Sequence, residues 1–407
     1  MFERISGLFW CRYFWLPRNT TWDDVENYTA GFQTKANLVD CFSTAVVLGI
    51  LRIVLNYFVL YPIGLHFGLR MPNRSELPSI PALETEFLKC KDPNPQVTQR
   101  LSRELQMDVK SIELWFRKKR VQSRSPLIIK FAESGWKLFF YGNMFVYGLY
   151  ALFDKPYFYD VRHALIGYPA FFMPREIYWY YMIELGYYLS EMGWIFYGVR
   201  RKDFRVMLYH HMATVGLLWI SYMVNQHRIG AIVLVTHDVA DCFMESAKLS
   251  KYIKKERATT IFYIIFSVVW IITRLIYFPF WVIYTIVTLT PVIYGIYPTL
   301  LIFIGLLSLL QLMHIYWSYL IAKIAIQTCT AGQGVQDVRS DNELSDGTAT
   351  TKEPAAFVSI PSESDNKQSK VNGIQNITEE RNEQIISRRI PTYLPTMETN
   401  HVNSLNH

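Results

Sequence analysis

Two runs in the middle of the chain decide how it is built: Tyr209-His210-His211-Met212-Ala213-Thr214 and Thr236-His237-Asp238-Val239-Ala240-Asp241. Both sit inside long apolar segments, about 206–225 and 229–247, of the length a helix needs to cross a bilayer. An ionisable side chain at that depth costs about 3 kcal/mol, so it persists with a function or a partner. Helical spacing puts His210 and Thr214 on one face, and His237 and Asp241 on another. Antiparallel helices joined by the short loop Gln226-His227-Arg228 bring those faces together. The pattern points to the active site of a membrane enzyme.

The same apolar pattern recurs along the 407 residues. A first span covers about 38–60, with Arg52 near its cytosolic end. After a polar stretch come six more, near 136–153, 176–197, 206–225, 229–247, 259–287 and 298–326. The fold class expected is therefore all-α, a polytopic membrane protein of about seven transmembrane helices. Four regions follow: a lumenal N-terminus with the first helix (1–60), a cytosolic insert (61–130), a catalytic transmembrane domain (131–329) and a disordered cytosolic tail (330–407). The tail is rich in Ser, Thr, Asn and Glu and poor in aromatics, so it lacks apolar surface to bury.

Loop charges give the orientation. Arg200, Arg201, Lys202 and Arg205 lie between the third and fourth spans, and Lys248, Lys251, Lys254, Lys255 and Arg257 between the fifth and sixth. On the other side, Gln226-His227-Arg228 carries one Arg and 288–297 carries no charge. Positive-inside therefore puts the N-terminus in the lumen and the C-terminus in the cytosol. The sequons Asn19-Thr20-Thr21 and Asn27-Tyr28-Thr29 agree, with Asn19 a candidate for glycosylation. Five scattered cysteines, without a Cys-x-x-Cys pair, argue against a disulfide framework or a thiolate metal site.

Within the insert, Leu83-Glu84-Thr85-Glu86-Phe87, Leu101-Ser102-Arg103-Glu104-Leu105 and Ile112-Glu113-Leu114-Trp115-Phe116-Arg117-Lys118-Lys119-Arg120 resemble the three helices of a homeodomain. The basic arm and most of the first helix are missing. Lys118 stands where homeodomains carry an adenine-reading asparagine, which argues against base-specific DNA binding. A structural or regulatory module, a lipid or acyl-CoA contact, and non-specific phosphate binding fit its basic third helix.

Three chemistries fit the His/Asp cluster. Interhelical His–Asp hydrogen bonds can simply hold helices together. A single metal can take His and Asp ligands. Or a histidine can act as base or nucleophile while an aspartate orients the ring and balances its charge. Adjacent histidines point about 100° apart on a helix, so His210 and His211 are not expected to share one task. Glu184 and Glu191, seven apart, share a face and either line a substrate cavity or make structural hydrogen bonds. Arg274 suggests a carboxylate partner without naming it. Gln311 and His314 suggest packing, and the aromatic run 178–181 an interfacial anchor.

Taken together, His210-His211, His237-Asp238-x-x-Asp241, Arg201-Lys202-Asp203-Phe204 and Glu245-Ser246-Ala247-Lys248 resemble the Lag1 motif of ceramide synthases. The likeness runs from the N-terminus through the homeodomain-like insert to Asp337-Val338-Arg339-Ser340-Asp341. It implies a multi-pass enzyme of the endoplasmic reticulum membrane that joins a fatty acyl-CoA to a sphingoid long-chain base through an amide. It also implies that His210, His211, His237, Asp238 and Asp241 carry the chemistry. Acyl-CoA is then a co-substrate, with no further cofactor or metal. Arg201, Lys202 and Lys248 offer CoA a positive mouth. Ser340, before Asp341 and Glu343, suits an acid-directed kinase. Dimers are common in that family, and its last lumenal loop, near 283–298 here, is implicated in chain-length choice. The competing function is a non-enzymatic membrane protein of the same helical family, in lipid sensing or translocation.

Overall fold

The computed structural model describes residues 10–27, 39–71, 77–123, 126–196 and 203–331. Among them there are helices and loops but no strand. The expected tail, Ser340, Arg201 and Lys202 lie outside the described residues.

Helix α1 (Val39–Leu55) continues through a π-helical turn, Asn56–Leu60, into Tyr61–His66. Its outer face of Val46, Val47, Ile50 and Phe58 is exposed, as a lipid-facing stripe is. Among the described residues, three helices are long and apolar enough to cross a membrane: Val39–His66, Glu256–Tyr294 and Pro298–Thr330. The insert forms α2 (Pro81–Lys89), α3 (Pro95–Leu105) and α4 (Val109–Ser123). Pro81 and Pro95 open their helices where a missing N–H costs nothing. Leu83, Phe87, Leu101, Ile112, Trp115 and Phe116 form its core. The Trp115 indole donates to the Pro78 carbonyl at 3.0 Å. Lys119 pairs with Glu84 at 3.1 Å and Arg120 with Asp92 at 2.7 Å, so part of the basic helix is spent inside the module.

The bundle comprises α5 (Leu127–Leu152), α6 (Arg175–Trp194), α7 (Phe204–Met223), α8 (His227–Tyr252), α9 (Glu256–Trp270), α10 (Tyr284–Tyr294) and α11 (Pro298–Ala331). Each apolar segment of the sequence falls on one of these helices or on α1, except 259–287, which runs from α9 into α10. Between α9 and α10 the chain is π-helical over Ile271–Ile283. Pro279 within it has no N–H and its ring clashes with the carbonyl four residues back, so regular α-helical bonding is interrupted there. Helix α8 is central: it packs most extensively on α5 and α9, while α6 packs on α1 and α7 on α11. The α1–α6 approach needs Gly186. A Cβ there would lie 2.9 Å from the Ala45 nitrogen and 3.0 Å from the Cys41 oxygen.

The turn from α7 to α8 sets the depth of the site. Asn225 adopts a left-handed conformation (φ 58°). The Gln226 N–H bonds the Ser221 carbonyl at 2.7 Å and the Asn225 N–H the Tyr222 carbonyl at 3.2 Å. The Asn225 amide bridges to the Pro169 and Phe171 carbonyls at 2.7 and 3.0 Å. So tight a reversal makes α7 and α8 antiparallel. At 1.5 Å per residue, His210 lies about 20 Å from the turn along α7, and His237 and Asp241 about 15 and 21 Å along α8.

One expectation is corrected. The aromatic run 178–181 is mostly interior rather than an interfacial anchor. Tyr178, Tyr180 and Tyr181 are buried, and Trp179 alone of the four is exposed. Tyr178 bonds Asp40, Tyr180 bonds Asp238 at 3.1 Å, and Tyr181 donates to the His227 carbonyl at 3.0 Å. Each buried hydroxyl has found a partner, which is the condition for burying tyrosine at all.

At the N-terminus, Trp10 and Trp15 pack with Trp219 of α7, and the Thr299 hydroxyl of α11 donates to the Phe14 carbonyl at 2.8 Å. Asn19 is exposed beside them. Thr21 of its sequon exchanges hydrogen bonds with Asp24 at the start of the helix Trp22–Asn27.

Candidate active site

The two opening runs do converge. His210 and His237 line one cavity, of about 40 Å³, between α7, α8 and α11. Its other walls are mostly apolar, including Leu217, Leu218, Val233, Leu234, Leu307 and Leu310, with Thr214 and Ser221 among them. His210, His211, Asp241 and Lys248 line a larger one of about 130 Å³, with Lys137, Lys251, Arg274 and Trp317. His210 is common to both, so its ring stands where a cavity with charged side chains in its lining meets one without them.

His211 shares the larger cavity but also opens on a third one. It packs beside Tyr188, with ring centroids 5.7 Å apart, and lines a charged cavity with Arg52, Glu133, Lys137 and Glu191. The ring centroids of His210 and His211 are 5.6 Å apart. Consecutive helical residues diverge in this way, and it gives the two imidazoles different surroundings.

His237 is held in a defined tautomer. Its Nδ1 lies 2.6 Å from the Val233 carbonyl, one turn back on α8. A carbonyl only accepts, so Nδ1 carries the proton and Nε2 of the neutral ring keeps its lone pair. That Nε2 is buried without a hydrogen-bond partner. Arg274, buried in the π-helical segment, closes the arrangement. It donates to the His237 carbonyl at 2.7 Å, to Asp241 Oδ2 at 3.4 Å and to His314 Nε2 at 3.2 Å. The His237 and His314 rings lie 5.1 Å apart. Asp238 faces the opposite way on α8, toward the Tyr180 hydroxyl. Among the described residues, no three His, Cys, Asp or Glu side chains are arranged to hold a metal ion.

Comparison with known proteins fits this geometry. The TLC domain family (TRAM, Lag1 and CLN8) matches residues 130–323, and the homeodomain family residues 76–125. Human ceramide synthase 5 is 36% identical over 374 residues, which is 90% of this chain and 94% of that protein. Human ceramide synthase 3 is 35% identical over 84% of this chain and 90% of its own length. Ceramide synthase hyl-1 of Caenorhabditis elegans is 38% identical over 52% of this chain and 61% of its own. The chain belongs to the ceramide synthase family.

In this ceramide synthase the remaining residues singled out in the sequence take distinct places. Lys248 lines the larger cavity and is paired with buried Glu245 at 2.7 Å. Glu191 binds Arg52 at 2.6 Å and Lys137 at 3.5 Å, the link that ties α1 to α5 and α6. Glu184 is fully enclosed close to Asp238 and is not among the residues lining the two cavities that His210 joins. Sequence reasoning passed over His314 as packing and left Arg274 without a partner, yet both touch His237. The signal lay in spacing: His314 and Trp317 are one turn apart on α11, and Trp317 meets the His210 ring at 5.2 Å.

Proposed function

We propose that this ceramide synthase transfers the acyl group of a fatty acyl-CoA to the amine of a sphingoid base, using His210 and His211 with His237, Asp238 and Asp241. The junction at His210 carries the proposal. The charged CoA stays at the cytosolic mouth, where Lys137, Lys248, Lys251 and Arg274 line the larger cavity. In sequence, Arg201 and Lys202 come just before α7 and would add positive charge for CoA. The acyl chain enters the apolar cavity beyond His210, and its thioester comes to rest beside the imidazole.

The amine nitrogen attacks the thioester carbon, a C–N bond forms and the C–S bond breaks. A histidine takes the amine proton and returns it to the departing CoA thiolate. In a two-step route His210 or His211 first carries the acyl group itself. Asp241 and Arg274 fix the polar side of the cavity, and Tyr180 fixes Asp238. Glu184 and Glu191 support the helices that carry these groups. No resident cofactor or metal is required by this chemistry.

The chain crosses the endoplasmic reticulum membrane seven times, with a lumenal N-terminus and a cytosolic tail, on the strength of its loop charges. The homeodomain-like insert lies in the cytosol, and its Lys118 disfavours reading of DNA bases. Ser340 is a site for an acid-directed kinase, and the protein works as a homo- or heterodimer.

Ceramide formation by membranes carrying His210→Ala or His211→Ala, each supplied with acyl-CoA and sphinganine, tests the chemistry. The residue serving as base or acyl carrier is expected to lose about 10²–10⁴-fold in rate. Full activity in both variants would overturn the proposal.

A further inference from the structure

Phe303 is placed as His210 is, on a wall shared by two cavities. Above it is the apolar cavity that ends at His210 and His237. Below it is a smaller one of about 10 Å³, closed by Val224, Ile286, Thr290 and Tyr297. The ring itself is buried. Helix α11 supplies one wall of the apolar cavity with Phe303, Leu307 and Leu310, and His314 and Trp317 continue the same face, at alternating steps of four and three, toward His210. Along that face Trp317, which meets His210, lies about 21 Å from Phe303. That depth is on the order of an extended long-chain fatty acyl group.

We propose that Phe303 is the floor of the acyl-chain cavity and sets the longest acyl group this protein uses. The inference rests on the acyl-transfer function proposed above. The occupant is the acyl chain rather than the tail of the sphingoid base. The cavity lies directly beyond His210 from the basic mouth, so a thioester held at His210 with its CoA at that mouth has its hydrocarbon pointing in. The ring of Phe303 stops a chain at the near cavity. A smaller side chain opens the far one, and a larger side chain at Leu307 raises the floor.

The test is competition among acyl-CoAs of increasing length, with sphinganine fixed, using membranes of wild type, Phe303→Ala, Phe303→Leu and Leu307→Phe at matched protein levels. The two Phe303 variants are expected to gain about tenfold or more in relative kcat/KM for chains longer than the wild-type optimum. Leu307→Phe is expected to shift preference the same way toward shorter chains. A second series varies the sphingoid base at fixed acyl-CoA. An acyl-length profile unchanged in every active variant overturns the inference, as does a shift that follows the base instead. A wild type that forms no ceramide from any acyl-CoA refutes the acyl-transfer function itself.

Discussion

Arg274 is the residue on which the polar half of the site depends. One guanidinium serves a backbone carbonyl and a carboxylate of α8 and an imidazole of α11. It also lies 4.9 Å over the Trp270 ring. A buried cation survives when its donors are matched, and removing it leaves its partners unpaired in a low-dielectric interior. Arg274→Met is therefore expected to destabilise the protein by about 3–5 kcal/mol. The readout is thermal unfolding in detergent, and adding Asp241→Asn should restore part of the loss. Equal unfolding temperatures for wild type and Arg274→Met would contradict this. His237 shows a quieter form of control. The Val233 carbonyl decides which nitrogen bears the proton, so the basic atom is chosen by the backbone rather than by another side chain.

At the scale of elements, the reversal between α7 and α8 is what brings two polar stripes to one depth. Asn225 does two jobs there: it tolerates the left-handed conformation and its side chain bonds two carbonyls of the preceding loop. A β-branched residue can do neither. Asn225→Val is expected to cost about 1–3 kcal/mol from backbone strain, with the lost hydrogen bonds in addition. Ceramide formation per molecule should fall with it, because His210 and His237 would no longer be held in register. An active, wild-type-stable Asn225→Val protein would show that the turn does not set the register. The π-helical stretch around Pro279 is a second device. It carries Arg274 and Phe278 into contact with His237 and His314 from a helix otherwise built to face lipid.

For the whole molecule, the orientation decides what each end can meet. The proposed orientation, with the N-terminus in the lumen, would make exposed Asn19 available to the glycosylation machinery. The protein made in cells should then gain electrophoretic mobility on endoglycosidase treatment, and Asn19→Gln should abolish that shift. A mobility unchanged by the enzyme would count against the lumenal N-terminus. Trp10 and Trp15 pack on Trp219, and the Phe14 carbonyl takes a hydrogen bond from Thr299, so the N-terminal segment is joined to α7 and α11. These are the helices that carry His210 and Phe303. The insert has a core of its own, built around Leu83, Trp115 and Phe116. On its third helix Lys119 and Arg120 are committed to internal ion pairs, while Lys118 is exposed.

Periodicity and charge determined the helical segments and the pairing of His210 with His237, and the resemblance of three short stretches to a known module gave the homeodomain-like insert. These are legible because a helix repeats every 3.6 residues, and an ionisable group among apolar neighbours stands out. Tertiary structure decided everything that depends on which face meets which helix. It took Tyr180 and Tyr181 inside, drew Arg274 and His314 to His237, and turned His211 toward Arg52, Glu191 and Lys137. It also set Phe303 between two chambers. Apolar residues read alike whether they touch lipid or a neighbouring helix, because both surroundings exclude water equally well. The difference exists only once the helices have packed.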